Sequence, residues 1–136
     1  MKTIIIAGST GYLGRHLVTE LQNHNVSFRA IARKEKKLQD IGLNPEQISK
    51  AEVTDPASLN GRLEGAEVLI STVGITRQKD GLTYMDVDYQ ANMNLLNEAK
   101  KAGIKKFIYV SVINGEKMRH LKIMEAKERF VDELKE

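Results

Sequence analysis

The sequence predicts a doubly wound α/β fold, a parallel sheet with helices on both faces. Three observations predict it. Short apolar runs alternate with segments of helical period along the chain. The first apolar run stops at a glycine-rich turn, Gly8 to Gly14, which opens directly into an amphipathic segment. No repeat, linker or low-complexity stretch divides the 136 residues, so 1–136 reads as one domain. Strands separated by helices form right-handed βαβ units, and five of them wound in both directions from the first take the order 3-2-1-4-5.

Each element has its own signal. Thr3–Ala7, with Ile4, Ile5 and Ile6 in succession, is a short buried strand. Tyr12–Asn23 is a helix, because Leu13, Leu17 and Leu21 recur four apart with Val18 beside them. Phe28–Arg33 is the second strand, and Lys34–Ile41 a short helix ended by Gly42. Gln47–Val53 is a weaker strand with few aliphatic side chains. Asp55 caps the next helix, with Pro56 at its first position and Leu59 and Leu63 on one face. Ala66–Val73 is a buried strand, and Asp86–Lys101 a long helix closed by Gly103. Lys106–Val112 is the fifth strand. His120–Lys135 is a last helix with Ile123, Met124, Val131 and Leu134 apolar.

Composition narrows the function. With 41% hydrophobic and 29% charged residues the chain is neither a membrane protein nor a disordered tail. No apolar run approaches the roughly 18 residues that span a bilayer. The opening run breaks at Gly8, too soon for a secretory signal, so a cytoplasmic location is expected. The absence of cysteine removes disulfides, thiolate metal sites and thiol nucleophiles. No His/Asp/Glu spacing suggests a metal site. A net charge of +3 suits an anionic small molecule and does not indicate nucleic acid. The basic cluster Arg33–Lys37 carries no aromatics, is interrupted by Glu35, and reads as a solvated helix face.

The glycines have a physical use. A pyrophosphate needs backbone N–H donors and the positive end of a helix dipole, and must approach the main chain closely to reach them. Gly8 lets the chain turn out of the strand, Gly11 leaves space for the phosphates, and Gly14 lets the helix lie close on the sheet. Ser9 and Thr10 offer hydroxyl donors, and the amides around Thr10, Tyr12 and Leu13 face the pyrophosphate. In the order 3-2-1-4-5, Gly8–Gly14 and Ser71–Gly74 flank the same crevice, outside the carboxyl ends of the first and fourth strands.

About 20 residues past the glycines, an NAD site supplies an acid for the ribose 2′-hydroxyl. Here that residue is Arg33, with Lys34 adjacent and Lys37 one helical turn on. A guanidinium binds a 2′-phosphate bidentately, where a carboxylate would repel it. The cofactor expected is therefore NADP, with NAD as the alternative. The missing acid also argues against an S-adenosylmethionine methyltransferase.

The segments IIIAGSTGYLGRHL, AEVTDPASL, VDYQANMNLLNEAKKAGIKKFIYVSV and AKERF together resemble the atypical short-chain dehydrogenase/reductases, the NmrA-like, NAD(P)H-binding group with a Rossmann fold. The resemblance runs over essentially the whole chain. It implies that Glu52 and Val53 lie near the adenine, and that Ser71, Thr72, Val73 and Gly74 line the cofactor crevice. It also places Arg33 where NADP-binding members carry arginine. Members usually run well beyond this length, which implies that the C-terminal substrate-binding part is missing. Uncovered apolar residues on the last helix, Val131 and Leu134, and some self-association are then expected.

The catalytic residues are only partly matched. Enzymes of this kind use Ser, Tyr and Lys, with the Tyr and Lys as Y-x-x-x-K on the helix after the fifth strand. Here Lys127 is present, but Ile123 stands at the tyrosine. Ser111 ends the fifth strand, yet Val112 falls at the catalytic serine, and Asp88 falls where some members have Asn. Some isoflavone-reductase-like members use a lysine in this helix without a tyrosine, so Lys127 is the candidate catalytic residue. The segment Ile75–Gly81, with Arg77 and Lys79, and the nearby Tyr84 and Tyr89 lie where substrate loops sit; a solvated loop is the simpler account. Two readings follow: an NADP(H)-dependent reductase or isomerase domain for an unknown small molecule, or a non-catalytic NAD(P)(H)-sensing protein that acts through a protein partner. A flavin- or nucleotide-sugar-binding variant shares the same crevice.

Overall fold

A computed structural model of the chain describes residues 3–9, 12–73, 89–110 and 122–135. Its elements are β1 (Ile4–Ala7), α1 (Tyr12–Asn23), β2 (Phe28–Ala32), α2 (Glu35–Gln39), β3 (Ile48–Lys50), α3 (Pro56–Leu59), β4 (Val68–Ser71), α4 (Asn92–Ala102), β5 (Lys106–Tyr109) and α5 (Lys122–Lys135). The sheet has the order β3-β2-β1-β4-β5. Every pairing is parallel. β1 is central, with Ala7 level with Ile31 on one side and Ser71 on the other.

The alternation of strand side chains builds the two layers. Ile5, Ala7, Ile31 and Leu69 face Leu59, Leu63, Leu95 and Ala99, which come from α3, its following turn and α4. Ile6, Phe28, Ala30 and Ala32 face the other way, toward Val18 of α1 and Leu38 of α2. Local signals set the ends. The Asp55 side chain accepts from the amide of Ala57 at 3.1 Å, with Pro56 at the first helical position. Gly103 closes α4 in the left-handed conformation, φ 73°.

Two boundaries differ from expectation. β3 is limited to Ile48–Lys50, because Pro45–Gln47 forms a 3₁₀ turn and the Gln47 side chain caps the Asn44 amide at 3.0 Å. α4 begins at Asn92, entered through a π-turn at residues 89–91, while 86–88 lie outside the described residues.

The last helix docks through one ring. Phe130 is fully buried and packs on Phe107 and Tyr109 of β5, with centroids 5.7 and 4.7 Å away. Val131 and Leu134, expected to be poorly covered, are half-buried. Strand alternation sends Phe107 and Tyr109 toward α5 and Ile108 and Val110 away from it. The large apolar side chains left exposed among the described residues are Leu13 (48%), Ile108 (42%) and Val110 (38%). Phe130→Ala should cost about 3–5 kcal/mol in urea unfolding, the range for a buried Phe truncated to Ala. A loss below about 1 kcal/mol would show that α5 is held by something other than this ring.

Candidate functional site

The site lies where the chain leaves β1 for one side of the sheet and β4 for the other. Gly8 turns the chain out of β1 with φ +83°. A Cβ there would stand 2.4 Å from Thr72 Oγ1 and 2.9 Å from the Thr72 carbonyl carbon. A Cβ on Gly14 would stand 1.9 Å from the Gly8 carbonyl oxygen and 2.9 Å from Ser9 Cα. The first turns of α1 therefore rest directly on the main chain of the β1 loop, and that loop rests on the end of β4. The Thr72 amide donates to Ala7 O at 3.0 Å, and its hydroxyl is shared between Ala7 O and Gly8 O, each at 3.2 Å. Thr10, Gly11 and the Tyr12 side chain lie outside the described residues. Leu13 is exposed on the first turn of α1.

Ser9 differs from its expected role. It is fully buried, and its hydroxyl donates to Ile31 O at 2.9 Å. A hydroxyl has one proton to give, and this one ties the loop to the end of β2 rather than facing a phosphate.

Ser71 is likewise committed. It is fully buried, donates to Asn92 Oδ1 at 2.5 Å and accepts from the Val73 amide at 3.2 Å. Asn92 Nδ2 donates to Val73 O at 3.1 Å. Ser71 and Asn92 thus shape the main chain at the end of β4, where buried Val73 lines the crevice and Gly74 lies outside the described residues. Asn94, on the same helix, donates to Val53 O at 3.0 Å and holds the loop after β3. Sequence reading missed both asparagines. Their signal was present: Asn92 and Asn94 interrupt the buried face formed by Ala91, Leu95, Leu96 and Ala99.

At the neighbouring edge stands Arg33, directly after β2, its side chain 55% exposed. Its Nη1 lies 3.6 Å from Glu52 Oε2. Lys37 is exposed on α2. Glu52 is itself anchored: its Oε1 accepts from Thr54 Oγ1 at 2.9 Å and from the Thr54 amide at 3.3 Å. Val53 is half-buried beside it. The structure thus brings the glycine turn, Thr72–Val73, Arg33, Glu52 and Val53 to the carboxyl ends of β1 to β4. Lys127 is half-buried on α5, one turn before Phe130, while Ser111 and Val112 lie outside the described residues. Tyr89 packs under the Arg129 guanidinium, 5.2 Å from its ring centroid.

This arrangement fits a dinucleotide. The turn has no room for side chains at Gly8 and Gly14, so main chain faces the crevice. The first turn of α1 carries no acidic residue, and a cation stands at the end of β2 where an acid would select NAD. Among the described residues there is no group of three or more His, Asp or Glu that could hold a metal, and no helix is long and apolar enough to cross a membrane. A separate cleft of about 370 Å³ opens at the opposite, amino-terminal edge of the sheet, beside Thr3, Phe28, Arg29 and Glu64.

Comparison with known proteins agrees with this geometry. A family model described as NAD(P)H-binding matches residues 8–135, from the first glycine of the turn to the end of α5. The photosystem II assembly factor Ycf39 of Synechocystis is 27% identical over 124 residues, which are 91% of this chain and 38% of that protein. The chloroplastic divinyl chlorophyllide a 8-vinyl-reductase of Zea mays is 30% identical over 142 residues, covering 97% of this chain and 35% of its own length. A crystal structure of an NADPH-dependent quinone oxidoreductase from Escherichia coli, complexed with NADPH, superposes with a TM-score of 0.75 at 26% identity, over 96% of this chain and 44% of that one. The chain therefore spans less than half the length of these proteins. With its sheet order, its glycine turn and this match over nearly every residue, the chain belongs to the NAD(P)H-binding family of Rossmann-fold proteins.

Proposed function

We propose that the chain binds NADP(H) at the Gly8–Gly14 turn and Arg33, and forms the cofactor-holding part of a reductase or isomerase acting on a small molecule. The observation that carries this reading is the packing of Gly14 on the Gly8 carbonyl, which bares the main chain at a helix start facing the end of β4. The α1 amides and the helix dipole hold the pyrophosphate. Arg33, with Lys37, holds the 2′-phosphate, and Glu52 and Val53 flank the adenine. Thr72 and Val73 wall the crevice, and Gly74 and Ser111 are further residues assigned to cofactor binding by this proposal. A bound NADPH supplies a hydride. The chain's own contribution to chemistry is a proton, and Lys127 Nζ is the group proposed to deliver it to the substrate oxygen.

A second reading is a non-catalytic NAD(P)(H)-binding protein working through a protein partner. It is favoured by Ile123 and Val112, side chains that neither donate a proton nor orient a carbonyl. One relative, the photosystem II assembly factor Ycf39, is named for a role in keeping with it.

Gly11→Val is expected to abolish NADPH binding in calorimetry while the far-UV spectrum stays folded; unchanged affinity would remove the pyrophosphate from this turn. The native chain is expected to bind NADPH more tightly than NADH, and Arg33→Asp to reduce or reverse that order by on the order of tenfold, the scale of a charge-assisted hydrogen bond. Equal binding of the two cofactors by the native chain would remove Arg33 from the 2′-phosphate site. A panel of aldehydes, ketones, quinones and enones with NADPH separates the two readings. As a reductase, the protein loses about 10²–10⁴-fold in rate on Lys127→Ala, the usual contribution of a general acid. NADPH binding without turnover of any of these substrates supports the binding protein.

A further inference from the structure

We infer that Glu52 is a specificity-determining residue, a fixed carboxylate that shares the Arg33 guanidinium with the 2′-phosphate and so holds the NADP preference down. The inference rests on the proposed cofactor site and goes beyond it, because it concerns how strongly that site discriminates.

The two partners are held very differently. Glu52 is only 34% exposed at its side chain. Its Oε1 accepts both Thr54 donors, and its own amide and carbonyl are both bonded to the Ser58 hydroxyl, each at 2.8 Å. The Val53 carbonyl next to it is held by Asn94. The backbone of Glu52 is thus pinned, and its carboxylate cannot swing away without giving up both Thr54 bonds. Its second oxygen, Oε2, points at Arg33 Nη1. Arg33 is the longer and more exposed partner, set on the last turn of chain out of β2.

A guanidinium gives its strongest recognition when one planar edge meets two oxygens of a single anion. Here one terminal nitrogen already faces a carboxylate. A 2′-phosphate arriving at Arg33 meets a cation already paired with one carboxylate, and a fixed negative charge a few ångströms away. Both effects act on the 2′-phosphate and neither acts on an unmodified 2′-hydroxyl. The pyrophosphate, common to both cofactors, cancels from the comparison. The charges next along the chain are Lys34, at the N-cap of α2, and Glu35 and Lys37 on that helix. The site thus favours the phosphorylated cofactor by a margin that Glu52 limits, and it accepts NAD as well.

The test uses ligands that isolate this end of the cofactor: adenosine 2′,5′-bisphosphate and AMP, titrated by calorimetry into the native chain and its variants. Glu52→Gln keeps an oxygen for the Thr54 donors and removes the charge. It should raise the bisphosphate-to-AMP affinity ratio about three- to fivefold, the scale of a partly exposed charge pair. Glu52→Asp, which keeps the charge but draws it back by one methylene, should fall between native and Glu52→Gln, and it serves if the glutamine variant does not fold. In an Arg33→Ala background the gain from Glu52→Gln should shrink to less than half. An unchanged ratio in folded Glu52→Gln, or a gain just as large without Arg33, overturns the inference and leaves the cofactor site standing. Failure of the native chain to bind either nucleotide or NADPH overturns the cofactor site and the inference with it.

Discussion

The contact on which the site depends is between two stretches of main chain. Gly14 of α1 lies so close to the carbonyl of Gly8 that even one methyl group would have to stand 1.9 Å from its oxygen. Gly8 in turn lies against Thr72, and the Thr72 hydroxyl returns to the carbonyls of Ala7 and Gly8. Three segments, from the ends of β1 and β4 and the start of α1, are thereby locked, with the short Thr72 side chain as the link to β4. Close backbone contact of this kind sets the height of the α1 start above the sheet, and so sets where its unpaired amides face. Side-chain packing elsewhere is tolerant of rearrangement by comparison, since Leu and Ile adjust through rotamers while a carbonyl oxygen has nowhere to go.

Helix α4 performs a second, polar task. It carries Asn92, Asn94 and Glu98 on a face that is otherwise apolar, and all three are buried. Asn92 holds the end of β4 through Ser71 and Val73, and Asn94 holds the loop after β3 through Val53. Glu98 accepts from the amide of Gly61, in the turn before β4, at 3.0 Å. Each bond contributes about 0.5–1.5 kcal/mol net, but an orphaned partner costs about 1–3 kcal/mol. The greater consequence is positional. Loops after a parallel strand have no sheet partners of their own, and one rigid helix holds two of those that reach the cofactor crevice, on either side of β1. The β3 end and the β4 end of the crevice are thus referred to a single strut.

At the rim of the proposed cofactor site, Arg33 and Glu52 stand together as a charge pair, with Glu52 held by Thr54 and Ser58. The same loop that Asn94 fixes carries this carboxylate, so the position of the opposing charge follows from the packing of α4 together with the local bonds to Thr54 and Ser58. Lys127 sits on α5, a helix anchored by Phe130 to Phe107 and Tyr109. Chemistry from this lysine would depend on that ring contact for its geometry.

The sequence by itself determined the strand count, the order 3-2-1-4-5 and most helix ends. These rest on local physics: hydrophobic period, the cap at Asp55, the left-handed glycines at Gly8 and Gly103. The roles of Gly8 and Gly14 were legible for the same reason, because a strand–glycine–helix junction leaves few ways to turn. Only the tertiary structure decided which polar groups are committed to the fold. Ser9 looked like a phosphate donor and is spent on Ile31, 22 residues away; Ser71 is spent on Asn92, 21 residues away. Glu52 faces Arg33 only because β3 lies beside β2. Among the described residues the exposed large apolar side chains lie on α1, on β5 and just after it, while Val131 and Leu134 of α5 are half-buried on a helix that Phe130 docks onto the sheet. A hydroxyl or carboxylate reads the same in a sequence whether it meets a ligand or a distant carbonyl, and its partner is chosen only when the chain folds back and brings the two together.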